Sequence, residues 1–150
     1  MVDKILTMIA LSESNKTGYG KGQEFSTQSA PQKVFTAIWY LEMEVNNGGF
    51  WQYLANSSAE TAPFVQQALK AIGANYTADL CKKAFAAAFR SGLPKTAEAI
   101  SSEAERRTDE LTDILDPFDQ QFFEKPDDLT ELLYDYVAKH PQEFGELPQD

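Results

Sequence analysis

The chain has one cysteine, Cys81, and one histidine, His140, in 150 residues. A lone cysteine allows no internal disulfide and fits a reducing compartment, so a cytoplasmic location is expected. Cys81 lies in an Ala- and Phe-rich helical pattern and reads as a buried structural thiol. With Cys81 and His140 far apart in sequence, a Cys–His or Ser–His nucleophile system has little to draw on. Zinc-ligand spacing is lacking. The Asp-rich run 109–119 lacks the Gly and the closing Glu of an EF-hand loop. Neither a metal nor a cofactor is therefore expected, and the chain reads as a non-enzyme. Basic residues are scarce too: 13 Lys and Arg against 23 Asp and Glu leave a net charge of −10. Direct nucleic-acid binding, which neutralises phosphates with Lys and Arg, is disfavoured, whereas a basic partner is permitted. No apolar run approaches the ~20 residues of a membrane span, and the N-terminus shows no signal-peptide pattern.

What is present is helical periodicity. Hydrophobic residues make up 43% of the chain and charged residues 24%, a globular balance that argues against disorder. Residues 2–13 read as a helix with Ile5, Leu6, Met8, Ile9 and Leu11 on its apolar side. Gly18, Gly20 and Gly22 mark a connector within a loop at 14–30, and they match no phosphate-binding pattern. Ser29, Pro31 and Gln32 form a capping-box start. Val34, Phe35, Ile38, Trp39, Leu41 and Val45 then recur at spacings of three and four, as a core helix requires. Further helices are expected from about Thr61–Pro63 to Gly73, with Val65, Ala68, Leu69 and Ile72 buried, and along Leu80, Cys81, Ala84, Phe85 and Ala88. A fifth long helix starts near Thr96. No alternating strand pattern, repeat or low-complexity segment appears. The expected fold is a single all-α domain over 1–150, compact, with about six to eight helices.

Charge is unevenly placed. Residues 1–97 balance at +2, while residues 98–150 carry four basic and sixteen acidic side chains, a balance of −12. On a helix stepping 100° per residue with Leu111 at zero, Ile114 and Leu115 fall on the same side as Leu111. Glu105, Asp109, Asp113 and Asp116 fall on the opposite side, successive carboxylates ~5–6 Å apart along the axis. Some acids have local duties available: Asp116 before Pro117 reads as an N-cap with Asp119 in the first turn, and Asp127 and Asp128 precede the stripe Leu129, Leu132, Leu133, Tyr136 and Val137. Glu105, Asp109, Glu110, Asp113, Glu124 and Asp135 are left without one. They are the candidate partner-binding face, against the plainer reading of a solvated polar face.

The most specified stretch is Glu42 to Ser58. Asn46, Asn47, Gly48 and Gly49 interrupt the long helix and are followed at once by Phe50, Trp51 and Tyr53. Two Asn and two Gly suit a helix that must stop with φ > 0 while another backbone comes close. Glu44, Asn47-Gly48-Gly49-Phe50, Gln52-Tyr53 and Asn56-Ser57 resemble the signature of a bacterial helical domain whose best-known members are acidic DNA-mimic proteins. The resemblance implies an all-helical protein that presents carboxylates to a basic DNA-binding protein, of repressor or nucleoid type, and so regulates transcription. A homodimer would suit a dimeric target. The motif admits two readings of its own. Asn46, Asn47, Gly48, Gly49, Phe50, Gln52, Tyr53 and Asn56 either build a structural corner, or Asn47, Gln52, Tyr53 and Asn56 line a pocket for a peptide or small ligand. A third class, a carboxylate enzyme, would need two acids facing each other in a cleft with a perturbed pKa.

Overall fold

A computed structural model describes residues 3–13 and 24–147. Gly18, Gly20 and Gly22 lie outside the described residues. The architecture is all-α, a compact set of eight helices with no strand among the described residues. In chain order the helices are α1 (Lys4–Ser12), α2 (Ala30–Ala55), α3 (Ala62–Ala71), α4 (Asn75–Ala88), α5 (Ala97–Arg106), α6 (Thr108–Phe123), α7 (Leu129–Ala138) and α8 (Pro141–Phe144). Short 3-10 turns at Phe25–Thr27 and Ser57–Thr61 lead into α2 and α3. No helix among the described residues is long and apolar enough to cross a membrane.

The second helix is the axle. Ser29 accepts the Gln32 backbone N–H while Gln32 accepts that of Ser29, a reciprocal cap that fixes the start of α2. Val34, Phe35, Ala37, Ile38, Leu41 and Val45 are all buried, and α2 packs against α3, α5, α6, α7 and α8. Burying a Leu- or Phe-sized side chain is worth ~1.5–3 kcal/mol, so this stripe supplies much of the driving force. The expected stripes of α3 and α4 are also buried. Gly73 ends the α3 segment at φ +84°. Cys81 is fully buried, and burial pushes its thiol pKa far up. His140 closes α7 with its Nδ1 2.7 Å from the Tyr136 carbonyl.

Three expectations about helix faces and boundaries are corrected. On α1 only Met8 is buried; Ile5 and Leu6 stay 59% and 62% exposed, because α1 makes its main contact with the body along α7, where Lys4 bonds Glu131. The helix begun at Thr96 does not run on. It breaks at Arg107 (φ −114°, ψ 32°), where Thr108 Oγ1 bonds the Glu105 carbonyl at 2.8 Å and so satisfies a helix-end acceptor. The break expected at Asp116–Pro117 does not occur, and α6 passes through Pro117. Proline leaves the Asp113 carbonyl without its helical donor, but both residues are on the exposed side, where water can replace it.

Candidate functional site

The long helix turns at Gly48 and Gly49. Gly49 has φ +77° and ψ 179°, a combination open essentially to glycine alone. The turn frees the backbone N–H of Phe50, the first of a second helical half, and Asp119 on α6 takes it: Oδ1 accepts at 2.8 Å. A Cβ on Gly49 would sit 2.5 Å from Asp119 Oδ2, so the close approach also demands glycine. Asp119 therefore caps a helix 69 positions away rather than its own first turn. Burial, together with the charge of Asp116, raises its pKa, and the Phe50 N–H opposes the rise.

Beyond the turn each aromatic has an assigned place. Phe50 meets Phe85 and Phe122 edge-on, with centroids 6.3 and 5.8 Å apart, joining α2 to α4 and α6. Tyr53 stacks on Phe85 and its hydroxyl lies 2.5 Å from Thr61 Oγ1. Trp51 donates its indole N–H to the Ala104 carbonyl of α5 at 2.9 Å. Such aromatic pairs add ~0.5–1.5 kcal/mol each beyond area burial. Glu44 Oε2 accepts from Gln52 Nε2 at 2.8 Å and from Asn56 Nδ2 at 2.9 Å, bracing the two halves across the turn. Asn46 and Asn47 are exposed. The motif residues thus do not converge on an open concavity: Tyr53 is buried, and Gln52 and Asn56 point at Glu44. Of the four residues in the pocket reading, Gln52, Tyr53 and Asn56 have their polar groups engaged within the fold, while Asn47 lies exposed on the surface.

The acidic candidates separate. Asp109 and Asp113 share the outer side of α6, and Glu124, its C-cap, follows on the same side; all three are exposed. Asp116 joins them there, since without a helix break it has no capping duty. The rise per residue sets these four carboxylates at axial steps of ~6, ~4.5 and ~12 Å. Glu105 is exposed but belongs to α5, across the break. Glu110 has a structural duty after all: Arg107 Nε reaches it at 2.7 Å, and that hydrogen bond holds its pKa below the usual carboxylate value. Arg107 also donates to the Ala88 carbonyl at 2.9 Å, so one guanidinium ties the α5–α6 junction to the end of α4. Asp135 is exposed on α7, close enough to Lys4 to help raise the lysine's pKa, after the larger effect of the Glu131 hydrogen bond.

A family model described as DMP19-like protein matches residues 26–140. The chain belongs to the DMP19-like family. No curated protein and no solved structure matched it. The matched span holds the whole glycine corner and every acidic candidate, and it leaves out α1.

Within this family member, four residues escaped sequence reasoning. Asp119 lies at ~80° from Leu111 on the helical wheel, near the apolar side, and that misplaced charge was a readable signal of an inward role. Asp127 accepts both the backbone N–H and the hydroxyl of Thr77 at 2.8 Å, capping α4 while Asp128 alone caps α7. Two acids before one helix start were one more than a single cap needs. Nothing in the sequence singles out Arg107 as the junction clamp. Glu42 is mostly buried, and burial raises its pKa, with Lys125 opposing and Asp128 reinforcing. It lines a hollow of about 80 Å³ beside Asn46 and Lys125, well below the ~300 Å³ of small-ligand pockets. Asp127 and Asp128, its acidic neighbours there, are both engaged in capping. Among the described residues no three His, Cys, Asp or Glu side chains are grouped to hold a metal ion.

Proposed function

We propose that this family member acts as a DNA mimic, occupying the DNA site of a basic repressor or nucleoid protein with the outer face of α6. The observation that carries the reading is the row of Asp109, Asp113, Asp116 and Glu124. These exposed carboxylates have no ion pair among the described residues, on a helix whose other acids, Glu110 and Asp119, are occupied. A chain selected only for solubility has no need of like charges one turn apart, which cost a few tenths of a kcal/mol each. Arg and Lys that normally meet phosphates would meet these carboxylates in charge-assisted hydrogen bonds. Glu105 and Asp135 would extend the field at the ends of the face. The complex would form fast and weaken steeply with salt. The role fits a cytoplasmic, non-enzymatic regulator of transcription in a bacterium, and a two-fold dimer would match a dimeric target.

The test uses immobilised protein and a bacterial lysate, comparing the wild type with an Asp109→Asn, Asp113→Asn, Asp116→Asn variant. Captured proteins are eluted first with duplex DNA and then with salt. A DNA-binding protein that is displaced by duplex and lost from the variant supports the mimic. Equal retention by both baits, or displacement by salt but never by DNA, would leave the row as a solvated face.

A further inference from the structure

We infer that a second site, on the opposite electrostatic character from α6, binds a small amphipathic anion: a carboxylate carrying a medium-length aliphatic or aromatic body. An open groove of about 530 Å³ lies between α3, α4 and the segment leading into α5. Its floor is apolar, made by Phe85, Phe89, Leu93 and Pro94, with Lys82 and Lys95 as its charged lining residues. Lys82, Phe85 and Phe89 recur at spacings of three and four on α4, so one helix face supplies both floor and rim. Both lysines are exposed, and neither makes an ion pair among the described residues, whereas the adjacent Lys83 is paired with Asp79 at 2.9 Å.

Charge complementarity and size select the occupant. On a chain of net charge −10, a concavity whose charged lining is two lysines repels the basic partner proposed for α6 and attracts a negative head group. The volume lies within the ~300–1,000 Å³ range of small-molecule sites, and an apolar body with a few convergent polar groups is what such sites accept. The lysine stems can lie along the ligand's body while their ammonium groups meet the carboxylate. The inference is independent of the mimic reading, since none of these residues belongs to α6.

Decanoate, below its micelle concentration, is the probe, titrated calorimetrically into the full chain, with decylammonium as the same body bearing the opposite charge. Saturable one-to-one binding of decanoate, about tenfold tighter than decylammonium, is expected from two screened ion pairs. A Lys82→Glu, Lys95→Glu variant should lose that preference, and Ala86→Trp, which fills the groove from an exposed position, should abolish binding with helical circular dichroism unchanged. Equal binding of both head groups, a preference that survives the double variant, or no saturation by decanoate would overturn the assignment. So would a Glu-rich peptide with a central Phe that binds more tightly than decanoate, since the groove would then serve a protein segment.

Discussion

Gly49→Ala is the sharpest perturbation of the corner, because two independent costs fall on one methyl group. The first is conformational. At φ +77° and ψ 179° an L side chain is strained by ~1–3 kcal/mol. The second is steric and electrostatic: the new Cβ would lie 2.5 Å from Asp119 Oδ2 and 2.9 Å from its Cγ. Asp119 must then withdraw, leaving the Phe50 N–H without its acceptor in a buried setting, at ~1–3 kcal/mol. The sum is roughly 2–6 kcal/mol, against a total stability of ~5–15 kcal/mol for a domain. Gly73→Ala provides the control. Gly73 also has positive φ, +84°, but a Cβ there would meet nothing within 4 Å, so strain alone, ~1–2 kcal/mol, should appear. Urea unfolding followed by circular dichroism and tryptophan fluorescence measures both. In an Asp119→Ala background, Gly49→Ala should cost only its strain, giving a coupling of ~1–3 kcal/mol in the double-mutant cycle. A Gly49→Ala no worse than Gly73→Ala, or an additive cycle, would refute the account of the bend.

Arg107→Ala should lose about 1–3 kcal/mol, because the buried Ala88 carbonyl loses its donor, and Arg107→Lys should recover only part, since a point charge cannot span three acceptors; unfolding midpoints decide. Asp127→Ala should cost ~1–2 kcal/mol by uncapping α4 while Asp127→Asn, which keeps an acceptor, costs less; both read out in the same unfolding assay. Cys81 should be inert to thiol reagents in the folded protein and react at the rate of unfolding; rapid labelling without denaturant would contradict its burial. The pH dependence has two limbs. Glu42 and Asp119 have raised folded pKa values, so they bind protons more tightly when folded, and stability should climb as pH falls from neutral through those raised values to the ordinary carboxylate value. Glu103 and Glu110 have lowered values from their Arg106 and Arg107 hydrogen bonds, so their contribution, present above the ordinary value, is lost as pH falls further. Glu42→Gln should flatten the first limb and spare the second; an unchanged profile would show that Glu42 does not titrate as its burial requires.

The fold was legible where the information is local and periodic. The Ser29 cap, the α2 stripe, the glycine stop at Gly73 and the glycine bend before Phe50 follow from spacing, capping chemistry and backbone freedom. What the sequence could not show is where an acid's partner lies when that partner is 50 or 69 positions away, as with Asp127 and Thr77 or Asp119 and Phe50. Local rules assigned Asp116 and Asp119 to a helix start that Pro117 suggested, but tertiary packing carried α6 through the proline. The same rules ran one helix across Arg107, because its clamp depends on a carbonyl contributed by α4. The exposed apolar side of α1 shows the converse failure: periodicity reports that a face exists, not that the fold has something to cover it.

The separation of acids into two populations bears on function. Four acids on α6 or before α7 each stabilise a particular group: Asp119 the Phe50 N–H, Asp127 the head of α4, Asp128 the head of α7, and the exposed Glu110 the Arg107 clamp. Removing any one exposes a donor or a cation, so stability alone accounts for their presence. Asp113, Asp116 and Glu124 stabilise nothing comparable, Asp109 contributes only as a charge in the first turn of α6, and the mutual repulsion of the row slightly opposes the helix that carries it. Yet that helix is fixed at both ends, by Arg107 at its start and by Phe122 against Phe50 near its finish. A rigid carrier for unneutralised charge lowers the ordering cost of meeting a basic surface, since the array is already in place before encounter. Asp113→Asn and Asp116→Asn together should therefore leave the unfolding midpoint equal or slightly higher, and adding Asp109→Asn, which forfeits a first-turn charge worth ~0.3–1 kcal/mol, should remove the salt-sensitive capture of a DNA-binding protein. A fall in stability on neutralising Asp113 and Asp116 would mean that the row serves the fold, and the case for a recognition surface would lose its foundation.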